Sequence, residues 1–259
     1  MNGKKTRYIW ISLAIVILIV VIAFVIIKNL PKSDSEEGKV ESETIKNNNL
    51  DAQKDETDNN KNEVTKNPIV TMEIKNYGTV KIELYPKVAP NTVKNFISLI
   101  NEGYYDGLTF HRIVPGFVVQ GGDKEGTGAG KTEYSIRGEF TKNGFKNDLK
   151  HEKGVISMAR ADYSVFGLTE EGYNSAFSQF FIMLESQRSL DGLYAAFGKV
   201  IEGMDIIENL ENIEIDSQTE KPINPPVIQK MTVETFGVNY EEPERIKSFD
   251  INGYIQKIS

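Results

Sequence analysis

One stretch of the chain decides how the rest is interpreted, and it reads Phe110-His111-Arg112-Ile113-Val114-Pro115-Gly116-Phe117-Val118-Val119-Gln120-Gly121-Gly122-Asp123. The pair Pro115-Gly116 predicts a turn between two short extended segments. Side chains two residues apart on a strand share a face, so we expect Arg112 to face Phe117 and Gln120 across the turn. The stretch therefore combines a cation, an aromatic ring and an amide, with no nucleophile beside them.

The composition is that of an ordinary globular chain and excludes several kinds of function. The 259 residues are 39% hydrophobic and 26% charged, with a formal net charge of −7. A chain this acidic offers no basic footprint for a nucleic-acid backbone, so nucleic acid is not an expected partner. Zero cysteines exclude disulfides, thiolate nucleophiles and cysteine zinc sites. The two histidines, His111 and His151, leave little for a metal site, and none is predicted.

The N-terminal residues are predicted to anchor the chain in a membrane. Residues 1–7 include the basic residues Lys4, Lys5 and Arg7. Residues 8–27 have only Ser12 as a clearly polar side chain, and a helix of this length can cross a hydrocarbon core of about 30 Å. A cleaved signal peptide or a buried helix is the alternative, but no A-x-A-like cleavage site follows the apolar run. The basic residues favour a cytoplasmic N-terminus. We therefore expect a single-pass signal anchor in the cell membrane, with the C-terminal domain extracytoplasmic.

The composition changes after the predicted span. Residues 28–67 have no apolar periodicity and are rich in Lys, Asp, Glu and Asn, which predicts a disordered linker. A flexible coil of this length has an r.m.s. reach of about 35 Å. Residues 68–236 are predicted to form one folded domain. Residues 237–259 form an amphipathic C-terminal extension to which the sequence assigns no function.

The predicted domain carries many short strand patterns and only two helical ones. Residues 69–74 and 79–85 alternate at the strand period around Asn76-Tyr77-Gly78, which predicts a β-hairpin. One helix is predicted after Pro90, and a second, short one after Gly203. Further strands are predicted at residues 154–159, 178–184, 195–200 and 228–236. This pattern favours an antiparallel barrel or sandwich over a parallel α/β sheet.

Two other segments of the domain are predicted to be loops. A P-loop needs four residues between its first Gly and the Gly-Lys-Thr. Only three residues separate Gly126 from Gly130-Lys131-Thr132, and the position where the first Gly is needed holds Glu125. Residues 121–132 are therefore predicted to form a glycine-rich surface loop. Residues 161–177 are predicted to form a loop-like insertion.

Four later motifs accompany the opening stretch: Gly154-Val155-Ile156-Ser157-Met158-Ala159, Ser178-Gln179-Phe180-Phe181-Ile182, Leu190-Asp191-Gly192 and Phe197-Gly198-Lys199-Val200. Together, and in this order, these motifs resemble the cyclophilin family of peptidyl-prolyl cis-trans isomerases, over about residues 70–236. The resemblance implies a mainly β fold, with a closed eight-stranded antiparallel β-barrel capped by two α-helices. It also implies an outer groove that binds proline-containing polypeptides, and no cofactor.

The resemblance further implies an enzyme that accelerates rotation about X-Pro bonds in folding or translocated proteins. The catalytic residues that it implies are Arg112, Phe117 and Gln120, with Arg112 stabilising the twisted prolyl nitrogen. The substrate-binding residues that it implies are His111, Val118, Ala159, Arg160, Ala161, Phe181, Leu190 and Tyr194. A histidine placed like His111, beside Arg112, is more often a structural hydrogen-bonding residue than a catalyst. Tyr194 stands where many members of the family carry His. A non-catalytic proline-binding module or chaperone is the open alternative.

Three departures from the family pattern affect the expected site. Ser189 stands where the best-known members have a Trp that contacts cyclosporin, so weak cyclosporin binding is expected. Arg160 stands where many members have Asn and is expected to favour acidic peptides. The insertion at 162–177 leaves the substrate contacts beyond the proline unassigned.

The aromatic residues expected to pack in the core rather than the site are Phe110, Phe180 and Phe197. Hydrolase and metalloenzyme functions are disfavoured, because neither a Ser-His-Asp spacing nor a His pair at ligand separation is present.

Overall fold

A computed structural model describes residues 66–130 and 132–258. The basic segment 1–7, the predicted span 8–27 and nearly all of the predicted linker 28–67 lie outside these residues. Within the described part of the chain, no helix has both the length and the apolar character needed to cross a membrane. The structure therefore concerns the predicted domain and its C-terminal extension.

The domain begins with the predicted hairpin. Strand β1 is Ile69–Ile74 and strand β2 is Gly78–Leu84, and they pair antiparallel. The turn between them places Asn76 at a φ of 69° and Gly78 at a φ of 126°, backbone conformations that Asn and Gly tolerate better than other residues. Alternate side chains of β2 are fully buried, as the strand period predicts.

Eight strands form one antiparallel sheet in the order β10-β1-β2-β7-β5-β6-β4-β3. The remaining six are β3 Thr109–Val114, β4 Val118–Asp123, β5 Val155–Met158, β6 Phe180–Met183, β7 Ala196–Glu202 and β10 Ile228–Glu234. A separate small hairpin pairs β8 Ile215–Asp216 with β9 Lys221–Pro222. The mainly β architecture is thus confirmed, and the β8–β9 hairpin is an element that the sequence pattern did not predict.

The sheet is curled, but the closed barrel implied by the resemblance is not shown. The edge strands β3 and β10 meet near their ends, where an isolated bridge pairs Thr109 with Val227 and the Phe110 N–H donates to the Pro226 carbonyl at 3.0 Å. Further along β3, the Ile113 N–H donates instead to the Glu220 carbonyl of the β8–β9 hairpin at 3.0 Å. The hairpin therefore occupies part of the strand edge that a closed ladder would need.

Both predicted helices are present. Helix α1 spans Pro90–Asn101, and its apolar stripe is buried against the sheet. The Phe96 ring lies at the centre of this contact, 5.6 Å from the ring of Phe180 and 5.0 Å from that of Phe197. The second predicted helix is α3, Met204–Asn209. Two further helices, α2 Thr169–Tyr173 and α4 Ile251–Ile258, fall where no helix was predicted.

A buried carboxylate binds the N-terminus of α1. Glu139 Oε1 accepts a hydrogen bond from the Asn91 N–H at 2.9 Å, and Oε2 accepts from the Thr92 N–H at 2.8 Å and the Thr92 hydroxyl at 2.7 Å. The first turn of α1 has no acidic residue of its own. Glu139 therefore supplies, from a distant loop, the negative charge that a helix N-terminus favours.

The insertion and the C-terminal extension are both ordered against the domain. The insertion, expected to be loop-like, contains a short 3₁₀ segment at Ser164–Phe166 followed by α2. The extension forms reciprocal backbone hydrogen bonds between Ser135 and Ile246, at 2.9 and 2.8 Å. It also contacts the insertion, because the Phe249 ring lies 6.0 Å from that of Tyr163.

Candidate active site

The stretch that opens the sequence analysis forms the β3–β4 hairpin. Gly116 has a φ of 67°, and the Phe117 N–H donates to the Val114 carbonyl at 2.9 Å, which closes the predicted turn. Arg112 and Gln120 are direct cross-strand partners. The Arg112 Nη1 donates to Gln120 Oε1 at 3.3 Å. The predicted pairing of Arg112 with Gln120 across the turn is therefore confirmed.

The amide of Gln120 is itself held by a second glutamine. Gln120 Nε2 donates to Gln179 Oε1 at 3.0 Å, and Gln179 Nε2 donates to the Gly128 carbonyl at 3.3 Å. The hydrogen-bonded series thus runs from Arg112 to the glycine-rich loop. Gln179 belongs to a motif that carried the resemblance, but this role was not predicted for it.

The other side of Arg112 is occupied by a carboxylate that the sequence analysis missed. Arg112 Nε donates to Glu220 Oε2 at 2.6 Å, and the two side chains are 23% and 30% exposed. Glu220 lies in the turn between β8 and β9, far along the chain from Arg112. Nothing in the local pattern around Glu220 marks it as a partner of the site.

The predicted apolar pocket residues form a cluster separate from the main core. Its buried centre includes Val118 and Phe181, and Phe117, Leu190 and Tyr194 pack against it. Phe181 is the cross-strand partner of Gln120, so the cluster adjoins the Arg112 side of the sheet. We call these residues the pocket cluster, which comprises Val114, Phe117, Val118, Leu149, Val155, Ala159, Phe181, Met183, Leu190, Tyr194 and Ala196.

The aromatic residues predicted to be structural lie in the main core. Phe110, Phe180 and Phe197 are each 0% exposed. Phe180 and Phe181 are neighbours on β6, yet they belong to the main core and the pocket cluster respectively. Alternation along the strand therefore separates a packing residue from a candidate site residue.

This arrangement agrees with a comparison against protein families. The model of the family described as cyclophilin type peptidyl-prolyl cis-trans isomerase matches residues 69–233. The chain belongs to the cyclophilin family. The match covers the whole eight-stranded sheet except the last residue of β10.

Individual cyclophilins support the assignment of an activity. Peptidyl-prolyl cis-trans isomerase B of Bacillus subtilis is 45% identical over 136 residues, which are 52% of this chain and 85% of that protein. Peptidyl-prolyl cis-trans isomerase ppi1 of Schizosaccharomyces pombe is 43% identical over 154 residues, 59% of this chain and 91% of that protein. This cyclophilin is accordingly a peptidyl-prolyl cis-trans isomerase.

A solved structure extends the comparison to three dimensions. The cyclophilin type peptidyl-prolyl cis-trans isomerase of Cryptosporidium parvum, crystallised in the presence of the dipeptide ala-pro, is 34% identical in sequence. It superposes with a TM-score of 0.56 and covers 64% of this chain and 98% of that chain.

Arg160 is held in an aromatic environment rather than left free in the groove. Its guanidinium carbon lies 4.6 Å from the ring centre of Tyr194 and 4.8 Å from that of Tyr173. Its Nε donates to the Leu193 carbonyl and its Nη1 to the Ala161 carbonyl, both at 3.0 Å. Two carbonyls and two tyrosine rings therefore already engage the charge that was expected to favour acidic peptides.

The insertion reaches the segment predicted to contact residues preceding proline. The Ala161 N–H donates to Ser175 Oγ at 2.8 Å, and the Ala159 N–H donates to the Gln179 carbonyl at 2.9 Å. Both backbone donors are thus engaged within the domain. Ser189, at the position linked to cyclosporin, is exposed in the 3₁₀ segment Arg188–Leu190.

His111 is not part of the pocket cluster. It is 4% exposed, and a Cβ at Gly128 would lie 3.5 Å from its ring, so it lies against the glycine-rich loop. Burial lowers the pKa of His111, with Lys221 and Arg112 acting in the same direction. The structure therefore brings together ten of the eleven predicted site residues as neighbours around β3, β4, β5 and β6, and His111 is the one that it leaves outside this group.

A Ser-His-Asp series lies behind the pocket, although the sequence spacing did not suggest one. His151 Nδ1 is 3.2 Å from Asp191 Oδ1, and His151 Nε2 is 3.1 Å from Ser157 Oγ. Ser157 is 0% exposed, so a substrate carbonyl cannot reach its hydroxyl. The His151 ring stacks on Phe181 at 6.1 Å. The series supports the wall of the pocket cluster and does not favour hydrolysis.

Proposed function

We propose that this cyclophilin accelerates X-Pro rotation through Arg112, whose guanidinium is directed at the prolyl nitrogen of the bound polypeptide. The observation that carries the proposal is the hydrogen bond from Arg112 to Gln120 beside the pocket cluster. The cluster receives the proline ring through Phe117, Val118, Phe181 and Leu190. No bond is broken in the reaction, so a cation fixed next to an apolar pocket is sufficient machinery.

The chemistry explains why a cation is useful here. Rotation about the amide bond loses resonance, with a barrier of about 18–20 kcal/mol. In the twisted transition state the prolyl nitrogen becomes pyramidal and regains a lone pair. A fixed cationic donor then stabilises the transition state more than either planar ground state.

The magnitudes show that Arg112 does not act alone. An acceleration on the order of 10⁵-fold requires about 7 kcal/mol. A charge-assisted hydrogen bond contributes about 1.5–3 kcal/mol. Apolar enclosure of the ring and distortion of the bound peptide supply the remainder, which assigns a catalytic share to Phe117 and to the rest of the pocket cluster.

The substrate class is a polypeptide that contains proline. Gln120 orients Arg112 and offers its remaining amide hydrogen to the substrate backbone. Ala159, Arg160 and Ala161 line the path of the residues that precede proline. The relative crystallised in the presence of the dipeptide ala-pro supports this class. His111 acts by packing beneath this surface.

The domain acts at the outer face of the cell membrane. The proposal rests on the apolar residues 8–27, the basic residues 1–7 before them and the polar linker 28–67 after them. The clients would then be translocated proteins that are still folding. Protease added outside intact protoplasts should degrade the domain, and full protection of the domain would contradict this location.

Cyclosporin is expected to bind weakly, because the small polar Ser189 replaces the indole that contacts it in the best-known members. Inhibition of isomerisation by cyclosporin should improve in Ser189→Trp. Nanomolar inhibition of the unmodified domain would contradict the expectation.

A protease-coupled isomerisation assay on residues 68–259 tests the mechanism. Arg112→Ala should lower kcat/KM by about a hundredfold, the usual loss when one preorganised transition-state donor is removed. Arg137→Ala, at an exposed position, is the matched control and should be unaffected. Equal rates for Arg112→Ala and the unmodified domain would instead favour the non-catalytic binding module.

A further inference from the structure

Glu220 stands out because its side chain reaches the site although its backbone already has a structural role. Its N–H donates to the Asp216 carbonyl at 2.8 Å, and its carbonyl accepts from the Ile113 N–H at 3.0 Å. Asp216 Oδ1 also accepts from the Gln218 N–H at 2.8 Å. These bonds hold the β8–β9 turn on β3 without the Glu220 side chain.

Glu220 has an unusual backbone conformation for a residue with a side chain. Its φ is 58°, in the left-handed region that Gly or Asn adopts more readily. Backbone strain of this kind persists where the surrounding structure over-determines it, and it clusters at functional sites. Here the strained residue directs a carboxylate at Arg112, 2.6 Å from Nε.

The ion pair determines which hydrogens of Arg112 remain for a substrate. A guanidinium has five N–H donors in a fixed plane. Glu220 accepts from Nε of Arg112, and Gln120 accepts from Nη1. Because the two contacts are on different nitrogens, they hold the guanidinium plane of Arg112 in one orientation. Neither bond uses Nη2, so the Nη2 hydrogens remain for a substrate.

We propose that Glu220 is a positioning residue of this isomerase, which orients the Arg112 guanidinium towards the prolyl nitrogen. This inference rests on the proposed function of Arg112. Two effects of the carboxylate oppose each other, because it weakens the field of the cation while restricting its motion. The restriction of the motion of Arg112 outweighs the weaker field, since a displacement of about 1 Å in a catalytic group can cost up to a hundredfold in rate.

Kinetics of the full chain in detergent, with kcat and KM measured separately, test the proposal. Glu220→Ala should lower kcat about tenfold and change KM less than about twofold, because an interaction used in the transition state is lost. Glu220→Gln should stay within about threefold of the unmodified chain, because its amide oxygen still accepts from Nε. Glu214→Gln, an exposed carboxylate of the same hairpin, is the matched control.

The double variant Glu220→Ala with Arg112→Ala separates this inference from the proposed function. If Glu220 acts through Arg112, the double variant should be no slower than Arg112→Ala alone. An additive loss, or full kcat in Glu220→Ala, would overturn the role of Glu220 while leaving that of Arg112 intact. Unchanged activity in Arg112→Ala would overturn the proposed function instead.

Discussion

At the scale of single residues, adjacent residues on one strand have different roles. Phe180 packs in the main core, whereas Phe181 packs in the pocket cluster beside Gln120. The pleat of β6 alone directs the two rings to opposite faces. Replacing each ring separately should therefore separate stability from substrate binding.

Phe180→Ala should destabilise the domain by about 3–5 kcal/mol, because it leaves a cavity among packed aromatic rings. Its kcat/KM per folded molecule should stay near that of the unmodified domain. Phe181→Ala should lower kcat/KM about tenfold, the equivalent of about 1.4 kcal/mol of lost apolar contact with the proline ring. Denaturant unfolding and the isomerisation assay measure the two quantities. Activity losses that merely track the folded fraction in both variants would contradict the assignment.

The two histidines predict how stability depends on pH. Burial lowers the pKa of both His111 and His151 below the ordinary value of 6.5. Each ring is therefore neutral in the fold and takes up its proton more readily when the chain unfolds. The stability from these rings is complete above pH 6.5 and decreases as the pH falls below it, through the lowered pKa values.

Unfolding free energies measured between about pH 7.5 and pH 5 should fall by up to about 1.4 kcal/mol per pH unit for each histidine. His151→Gln should show a shallower fall than the unmodified domain, because one of the two protons is no longer linked to unfolding. Burial alone would raise the pKa of Asp123, but hydrogen bonds from backbone N–H groups, led by that of Gly128, lower it. Asp123 therefore titrates below the pH range in which the histidines are measured. A constant free energy over this range would contradict the prediction.

At the scale of elements, the start of α1 depends on a residue outside the helix. Glu139→Ala should lower the free energy of unfolding by about 1–3 kcal/mol, since the Asn91 and Thr92 N–H groups lose a charged acceptor in a buried place. Glu133→Gln, at an exposed position nearby, serves as the control. Chemical denaturation measures the difference. A loss below about 0.5 kcal/mol would show that water replaces Glu139, as at an ordinary surface site.

At the scale of the whole domain, the C-terminal extension joins parts that are distant along the chain. The Asn91 side chain exchanges hydrogen bonds with the backbone of Glu244 at 3.0 and 2.7 Å. The Arg245 guanidinium carbon lies 4.3 Å from the ring centre of Tyr134. Together with the contact between Phe249 and the insertion, these bonds connect α1, the segment after the glycine-rich loop and the insertion.

Ending the chain after Phe236 should therefore lower the free energy of unfolding by at least about 2 kcal/mol, from several hydrogen bonds of about 0.5–1.5 kcal/mol each. Arg112 and the pocket cluster make no contact with the extension through these bonds, so kcat/KM at low temperature should remain within about twofold. Thermal unfolding followed by the isomerisation assay checks both expectations. An unchanged unfolding midpoint would show that the extension only rests on the domain.

The resemblance to the cyclophilin family, rather than any local period, separated the pocket aromatics from the core aromatics. The sequence by itself determined the eight strands of the main sheet, helices α1 and α3, and the pairing of Arg112 with Gln120. These features follow from side-chain periodicity and turn chemistry, which act over a few residues. Only the tertiary structure decided the open edge of the sheet, the order within the insertion, the enclosure of Arg160 and the ion pair of Arg112 with Glu220. The physical reason is that each of these depends on contacts between segments far apart in the chain, and no local period encodes which distant side chain a charged group will meet.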